Sequence, residues 1–146
     1  MKPEFKSTEV GKIINLRHQV LRIGKPITTC HFEGDQNLST FHFGIFINQE
    51  AIACVSMLKK NHPSIDDKKA YQLRGMAVLP EFQGQKIGKL LLRKAEQHLA
   101  QLDIETIWCN VRTSAIRFYE KNQYLQIGDP FQIPEVGSHV LMYKYL

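Results

Sequence analysis

The stretch from Tyr71 to His98 constrains the fold more than any other part of the chain. A short apolar run over 71–78 ends before Pro80, a polar loop from Gln83 to Gly88 follows, and apolar residues then recur at helical spacing. This order predicts a strand, a loop and a helix. Because the first N–H groups of a helix lack partners within it, a loop that leads into a helix N-terminus can bind an anion. The stretch therefore favours a phosphate-binding loop, with an ordinary strand-to-helix turn as the alternative.

Two other phosphate-binding motifs fit this stretch poorly. A nucleotide P-loop ends in Gly-Lys-Ser/Thr, because its lysine reaches the terminal phosphates and its hydroxyl holds magnesium, and the chain contains no such tripeptide. A dinucleotide-binding fold places an acidic residue at the end of the next strand, where it holds the ribose. The next predicted strand ends instead in Cys109, Asn110 and Val111. Neither motif is therefore expected.

The length and composition of the chain predict one domain that spans residues 1–146. The chain has 146 residues, of which 43% are hydrophobic, enough to bury a sizeable core. No apolar run is long enough to cross a membrane, and the first residues lack the basic-then-apolar pattern of a secretion signal. We therefore expect no membrane association and a cytoplasmic location.

The surplus of basic residues raises the question of a nucleic-acid partner. The formal net charge is +5 and the pI is about 9.2, but the lysines and arginines are spread along the chain. Lys86 and Lys89 lie beside the predicted loop, where a ligand rich in phosphate would account for them. No nucleic-acid partner is therefore expected, and a basic nucleic-acid-contacting domain is a lesser alternative that rests on net charge alone.

The cysteines and histidines show no disulfide or metal-binding pattern. Cys30, Cys54 and Cys109 are odd in number, far apart and without paired spacing. The six histidines are also scattered without the spacing of metal ligands. We predict neither a disulfide framework nor a metal site.

Hydrophobic periodicity predicts the other elements. A helix is expected from Ser7 to about Arg22, capped by Ser7 or Thr8, and another from Ser114 to Asn122. The order strand, helix, strand around the loop implies a right-handed crossover and hence a parallel pair. The predicted strands cover Phe41 to Ile47, Ala51 to Leu58, Tyr71 to Val78, Thr106 to Val111 and Val140 to Leu146, with an exposed loop from Asn61 to Ala70.

Two motifs resemble those of the GNAT superfamily of N-acetyltransferases. The segment GMAVLPEFQGQKIGKLLL is similar to its acetyl-CoA-binding motif, whose loop reads Gln/Arg-x-x-Gly-x-Gly/Ala. Gln83 and Gly88 match this loop, whereas Lys86 stands in place of the first glycine. The later family motif reads Ala-x-x-Phe/Leu-Tyr-x-Lys-x-Gly-Phe. It is matched by Ala115, Phe118, Tyr119 and Lys121, whereas Gln123 and Tyr124 replace the Gly-Phe pair.

The resemblance implies an α/β fold: a mixed, twisted sheet of six or seven strands with about four helices, whose parallel central pair is splayed at the cofactor site. It also implies transfer of an acetyl group from acetyl-CoA to a primary amine by direct attack in a ternary complex. The acceptor would be a small-molecule or peptide amine, and a homodimer stays open. A CoA-binding or sensing module without turnover is the alternative, because Lys86 and the missing Gly-Phe pair depart from the motifs.

The resemblance also implies a set of site residues. Tyr119 would act as general acid toward the departing thiolate, a role typically worth about 10²–10⁴-fold in rate. An aromatic that packs its helix against the sheet is the alternative for this tyrosine. The main chain of Met76 and Val78 would pair with the pantetheine arm, with Asn110 and Ser114 as further contacts. The residues that would hold the diphosphate are Gln83, Gly84, Gln85, Lys86, Ile87, Gly88 and Lys89.

The acceptor amine must lose a proton before it attacks the thioester, because an alkylammonium has a pKa of about 10. Glu33, His42 and His139 are the leading candidates for this base, since they are expected at strand ends or in the acceptor loop. By the resemblance, the first helix and the loop after it help to form the acceptor pocket. The candidates for substrate contact are Arg17, His18, Arg22 and the segment Thr28 to Asp35, whereas periodicity alone makes them surface residues. Arg74 can either orient an acidic group of the acceptor or pair with a neighbouring carboxylate.

Overall fold

The computed structural model describes residues 2–67 and 69–146, and within them the chain forms seven strands and three α-helices. The helices are α1 (Ile14–Leu21), α2 (Ile87–Gln101) and α3 (Ile116–Lys121), and short 3-10 turns cover Val10–Lys12, Ile27–Cys30, Pro80–Phe82 and Thr113–Ala115. The strands are β1 (Glu4–Thr8), β2 (Phe41–Ile47), β3 (Glu50–Lys59), β4 (Ala70–Val78), β5 (Thr106–Arg112), β6 (Leu125–Ile133) and β7 (Gly137–Tyr145). They are hydrogen-bonded in the order β1-β2-β3-β4-β5-β7-β6.

The sheet is mixed because one pair of neighbouring strands is parallel. β4 and β5 run in the same direction, with Ala70 opposite Thr106 and Gln72 opposite Trp108. Both strands continue beyond this register, β4 to Val78 and β5 to Arg112. This register confirms the predicted parallel pair, whose two strands are connected through α2. The α/β fold with six or seven strands is also confirmed, although the described helices number three instead of about four.

One compact unit, the first unit, comprises the chain up to Leu58 together with Leu73–Leu99. In it β1 pairs antiparallel with β2, from Glu4 opposite Phe46 to Thr8 opposite His42, and β2 forms a hairpin with β3. α2 buries an apolar stripe, and each leucine so buried stabilises the fold by roughly 1.5–3 kcal/mol. The buried residues of this stripe are Leu91, Leu92, Ala95 and Leu99, and a further cluster comprises Val10, Ile13, Ile14, Leu16, Cys30, Cys54 and Ala77.

The second unit comprises Lys59–Gln72 and Ala100–Leu146. β5 pairs antiparallel with β7, and β7 forms a hairpin with β6. The indole N–H of Trp108 donates to the carbonyl of Lys60 at 2.7 Å, which attaches the loop before β4 to β5. Its buried cluster is Ile65, Ala70, Trp108 and Leu141.

The predicted helix from Ser7 to Arg22 is wrong in its first part. α1 begins only at Ile14, and Ser7 and Thr8 belong to β1 and cap no helix. β1 forms because Glu4–Thr8 pair with β2, and the ring of Phe5 stacks on that of Phe43 with centroids 5.4 Å apart. Pairing with a strand distant in sequence has overridden the local helical pattern.

β6 lies outside the predicted elements, and β7 begins at Gly137, before the predicted Val140. Glycine and proline are unfavourable inside strands, and β6 contains both Gly128 and Pro130. The register between β6 and β7 shifts from Ile127 to Phe131, around these two residues. β6 is the last strand in the sheet order, and an edge strand tolerates such an irregularity because one side needs no partner.

Of the helices formed by residues 2–67 and 69–146, none is long and apolar enough to cross a membrane.

Candidate functional site

The loop between β4 and α2 has an unusual backbone at two positions. Gly84 and Lys86 adopt φ of 77° and 63°, which lie in the left-handed region. Glycine enters this region without steric cost, whereas a residue with a Cβ is strained there. Lys86 thus has the conformation that a glycine would favour, and it adds an ammonium group to the loop.

The hydrogen bonds of this loop leave a run of backbone amides without protein acceptors. The N–H of Gln83 donates to the carbonyl of Pro80 at 3.2 Å, and that of Leu90 donates to the carbonyl of Lys86 at 3.1 Å. Residues 84–89 lie between these two. In the part of the chain that the structure describes, none of their backbone N–H groups donates to a protein acceptor. These amides lie at the positive end of the α2 dipole, so the loop can bind an anion such as a diphosphate.

Side chains of the same loop hold it to the end of β4. The side-chain amide of Gln83 donates to the carbonyl of Val78 at 2.9 Å, and that of Gln85 donates to the carbonyl of Glu81 at 3.1 Å. Gln83 therefore contributes to the shape of the loop through its side chain. Met76 and Val78, the predicted main-chain contacts, are half-buried on β4 in the same unit.

The middle of β4 departs from extended geometry at Gly75, whose φ is 65°. A Cβ at this position would lie 2.9 Å from Cε2 of Phe32, so any other residue here would require the ring to shift. Gly75 therefore allows the ring of Phe32, in the segment Thr28 to Asp35, to pack directly on the backbone of the strand.

A buried polar network connects α1 to the segment Thr28 to Asp35 and to β3. Arg17 donates from Nη1 to Asp35 at 2.7 Å and to the carbonyl of Cys30 at 2.8 Å, and from Nη2 to Ser56 at 2.8 Å. Burial by itself raises the pKa of Asp35, but the hydrogen bonds from Arg17 and the Phe32 N–H outweigh it, so this pKa is lowered. The resemblance suggested Arg17 as a substrate contact, but Arg17 is fully buried and holds the segment Thr28 to Asp35 in place.

His42, one of the three predicted base candidates, belongs to this network. Its Nε2 lies 2.9 Å from the carbonyl oxygen of Asp35 and its Nδ1 lies 2.6 Å from Oγ of Ser56. Because a carbonyl only accepts, Nε2 carries the proton and Nδ1 accepts from the Ser56 hydroxyl. Burial lowers the pKa of His42 and outweighs the opposing effect of Asp35, so the ring is neutral at pH 7.

The other two base candidates lie in different surroundings. Glu33 is exposed in the first unit. His139 is buried in the second unit, where its Nδ1 lies 2.8 Å from the carbonyl of Gly137 and its ring stacks on that of Phe131. The first unit therefore contains Glu33 and His42 together with the loop, and the second contains His139.

Tyr119 is buried in α3, with 6% of its surface exposed. Its ring makes edge-to-face contacts with the rings of Phe118 and Tyr124, at centroid distances of 5.1 and 5.4 Å. Burial raises the pKa of Tyr119 well above its ordinary value, and Cys109 adds to this effect. The phenol therefore stays protonated at neutral pH, the state in which it can donate a proton.

The two departures in the later family motif preserve its structure. Gln123 adopts φ of 68°, the left-handed conformation that suits the glycine of the motif. Tyr124 is buried to 1% exposure, as expected for the phenylalanine that it replaces. As at Lys86, a residue that replaces a motif glycine adopts a left-handed φ.

Asn110 and Ser114, the further cofactor candidates of the second unit, are both exposed. Asn110 lines a pocket of about 390 Å³, and Ser114 lies in the turn that precedes α3. The other residues of the pocket are His62, Ser64, Ile127, Gly128, Phe131 and Leu141. Among residues 2–67 and 69–146, no three His, Cys, Asp or Glu side chains are grouped so as to hold a metal ion.

Phe32 falls within the candidate segment Thr28 to Asp35, whereas Ser56 lies outside every predicted site. Ser56 lies among apolar residues in β3, where all its neighbours from Ile52 to Leu58 are buried, and only the fold brings it to Arg17. A charged residue on the apolar side of α1 was the one sequence signal of this network, because a buried arginine requires partners.

Comparisons with known proteins agree with this architecture. The sequence model of the Acetyltransferase (GNAT) family matches residues 14–124. The "Uncharacterized N-acetyltransferase YitI" of Bacillus subtilis (strain 168) is 35% identical over 143 residues, which cover 98% of this chain and 96% of that protein.

Solved structures share the fold. The crystal structure of Escherichia coli ElaA is similar with a TM-score of 0.78 at 17% identity, over 98% of this chain and 99% of that one. An aminoglycoside 6'-N-acetyltransferase complexed with coenzyme A gives a TM-score of 0.77 at 12% identity, over 97% of this chain and 96% of that one. The match to the family and the 35% identical relative together show that this chain belongs to the GNAT family and is an acyltransferase.

Proposed function

We propose that this acyltransferase transfers an acetyl group from acetyl-CoA to a primary amine, which attacks the thioester directly in a ternary complex. The observation that carries the proposal is the loop before α2, where Gly84 and Lys86 are left-handed and the amides of residues 84–89 have no protein acceptor in the described part of the chain. The shared fold of the aminoglycoside 6'-N-acetyltransferase complexed with coenzyme A supports it.

The loop fits the diphosphate of coenzyme A in both charge and geometry. Backbone amides at a helix N-terminus bind phosphate oxygens, and the ammonium groups of Lys86 and Lys89 add positive charge beside them. The main chain of Met76 and Val78 would pair with the pantetheine amides, and Asn110 and Ser114 would make further contacts. Acetyl-CoA supplies an activated acetyl group, and the protein has to orient it and to stabilise the charge that develops on its carbonyl oxygen, for which a backbone N–H of β4 is suited.

We assign to Tyr119 the donation of a proton to the thiolate that leaves. Its raised pKa keeps the phenol protonated throughout the neutral range, and a buried donor acts in surroundings where hydrogen bonds are stronger than in water. Its neighbour Phe118 also packs against it, so removal of the hydroxyl alone leaves the ring contacts in place.

Glu33, His42 and His139 remain the candidates for the base that takes the proton of the amine. Exposure favours Glu33, whereas both ring nitrogens of His42 already have partners. The pH profile of kcat/KM separates the three. Replacement of the base by glutamine, in Glu33→Gln, His42→Gln or His139→Gln, is expected to remove the acidic limb of that profile.

The proposed function is tested by titration of acetyl-CoA followed by measurement of free thiol release with a panel of amines. Acetyl-CoA is expected to bind, and at least one amine is expected to raise thiol release above the buffer rate. Tyr119→Phe is expected to lower kcat by about 10²–10⁴-fold. Tyr145→Phe is the matched control, because Tyr145 is 65% exposed in the same unit, and it is expected to leave kcat unchanged.

Other outcomes would replace this function. Binding of acetyl-CoA without turnover of any amine would favour a CoA-binding module. Binding of nucleic acid that weakens steeply with salt would favour the nucleic-acid-contacting alternative. If chemistry limits the rate and Tyr119→Phe is as fast as the wild type, the role of the phenol is wrong.

A further inference from the structure

Two arginines of the first unit share one aromatic ring. The guanidinium carbons of Arg17 and Arg74 lie 3.9 and 4.5 Å from the ring centroid of Phe32. Arg17 comes from α1 and Arg74 from β4, and Phe32 from the segment between α1 and β2. We call these three side chains the arginine stack.

Within the arginine stack, both terminal nitrogens of Arg17 donate to protein acceptors, whereas its buried Nε–H has no partner among the described residues. Asp35 receives two hydrogen bonds from its guanidinium, and the Cys30 carbonyl and Ser56 hydroxyl receive the others. Arg17 is fully buried and its charge is balanced by Asp35. It therefore holds the stack in place and is not available to a ligand.

Arg74 differs because its charge is not balanced by a contact. It is half-buried, and no carboxylate of residues 2–67 and 69–146 lies within ion-pair distance of it. Burial lowers the pKa of Arg74 and the charge of Arg17 lowers it further, while Asp35 and Glu33 act in the opposite direction from longer range. A partly desolvated cation without a partner is unfavourable, so an anionic ligand at this position would stabilise it.

We propose that Arg74 binds a carboxylate of the acceptor, so that this enzyme acetylates amines that carry a carboxylate, as amino acids do. The inference rests on the proposed function. A guanidinium held against an aromatic ring presents its N–H fork in a fixed plane, and that fork matches the two oxygens of a carboxylate.

The position of Arg74 on β4 suits this role. It lies two residues before Met76 on the same strand, so no more than roughly 7 Å of backbone separates it from the proposed cofactor contacts. An amino acid bound at Arg74 by its carboxylate can therefore extend its amine toward the segment that would hold the acetyl donor. Phosphate would also match the fork, and the charges around Arg74 are of both signs, with Arg17 and Arg22 against Asp35 and Glu33. The acceptors compared below therefore distinguish the two anions.

The test compares matched acceptors. Thiol release from acetyl-CoA is measured with the common amino acids, each as free acid and as α-carboxamide, and with aminoethyl phosphate. For the amino acids that are turned over, the free acid is expected to exceed its carboxamide in kcat/KM by about 10–100-fold, the range of a charge-assisted pair. Aminoethyl phosphate is expected to be a poorer acceptor than the free acids.

Variants then assign the difference to Arg74. Arg74→Met is expected to reduce the ratio of kcat/KM between the free acid and its carboxamide to about one, because only the acid loses a charged contact. The affinity for acetyl-CoA is expected to stay unchanged. Arg93→Met is the matched control, because Arg93 is exposed on α2 in the same unit, and it is expected to keep the preference for the acid. The unfolding midpoints of both variants show whether the arginine stack is intact.

Each of the other possible outcomes overturns either this inference alone or the proposed function as well. Equal kcat/KM for acids and carboxamides overturns this inference and leaves the proposed function standing. A preference for acids that survives in Arg74→Met also overturns it, and a clear preference for aminoethyl phosphate replaces the carboxylate with phosphate as the ligand. Absence of turnover with every amine overturns the proposed function and this inference together.

Discussion

Arg17 and Asp35 form a bidentate salt bridge in the interior of the first unit, with Nη1–Oδ2 and Nη2–Oδ1 distances of 2.7 and 3.1 Å. The pair joins α1 to the segment that precedes β2, and Ser56 and His42 extend it to β2 and β3. Because no water can replace a missing partner there, each charge depends on the other.

Asp35→Asn is expected to lower the free energy of unfolding by about 3–5 kcal/mol, because it leaves the buried Arg17 uncompensated. Urea unfolding at pH 7 measures the change. Glu4→Gln is the control, since Glu4 and Lys6 form an ion pair with side chains 63% and 46% exposed, and an exposed pair contributes no more than about 1 kcal/mol. Equal effects of the two substitutions would show that the Arg17 charge finds water or another partner.

Gly75→Ala is expected to destabilise the protein more than Gly128→Ala. Both glycines are left-handed, with φ of 65° and 74°, so both substitutions introduce backbone strain of about 1 kcal/mol. At Gly75 the new methyl would also lie 2.9 Å from Phe32, whereas at Gly128 it meets nothing within 4 Å. Thermal unfolding of the two variants isolates the steric part, and equal destabilisation would mean that Phe32 moves aside freely.

Lys86→Gly is expected to be more stable than Lys86→Ala by up to about 1 kcal/mol, because only glycine relieves a left-handed φ. Both variants lose the ammonium group, so their difference reports the backbone alone. Both are also expected to bind acetyl-CoA several-fold more weakly than the wild type, with a smaller difference at high salt. Unchanged affinity would show that the Lys86 side chain does not contact phosphate.

The buried thiol of Cys54 predicts a loss of stability at high pH. Burial raises its pKa from 9.0 to about 12, although Arg17 partly opposes this. Between these values the unfolded chain has released a proton that the folded chain retains, so the free energy of unfolding falls as pH rises. The slope from one such group is about 1.4 kcal/mol per pH unit.

Cys54→Ala removes this contribution. Urea unfolding under reducing conditions at pH 8 and at pH 10.5 is expected to show a fall in unfolding free energy that is about 2 kcal/mol larger for the wild type than for the variant. The difference at pH 8 measures the packing that the substitution removes. Parallel behaviour of the two proteins from pH 8 to pH 10.5 would contradict a raised pKa.

The strand, loop and helix around Gln83 could be predicted because their signals are local. Apolar periodicity, Pro80 and the glycines of the loop act within a few residues of themselves, and the structure has these elements within one or two residues of the predicted bounds. Lys86 and Gln123 stand where the family motifs have glycine, and only the structure showed that both adopt the left-handed conformation that glycine favours.

β1 and β6 could not be predicted because neither carries a strong pattern of its own. The residues of β1 form a strand because they hydrogen-bond to β2. β6 forms a strand in spite of Gly128 and Pro130 because it pairs with β7. Ser7 and Thr8 would suit a helix cap equally well in another context.

By itself, the sequence determined the order of most elements, the family and the place of the loop, since these depend on short-range spacing and on matching motifs. Only the tertiary structure decided that Arg17 is a buried partner of Asp35, while Arg74, over the same ring, has no carboxylate of the described residues within ion-pair distance. The sequence alone does not distinguish the two arginines. Their roles differ because burial and the distance to a carboxylate are properties of chain segments that meet only when the protein folds.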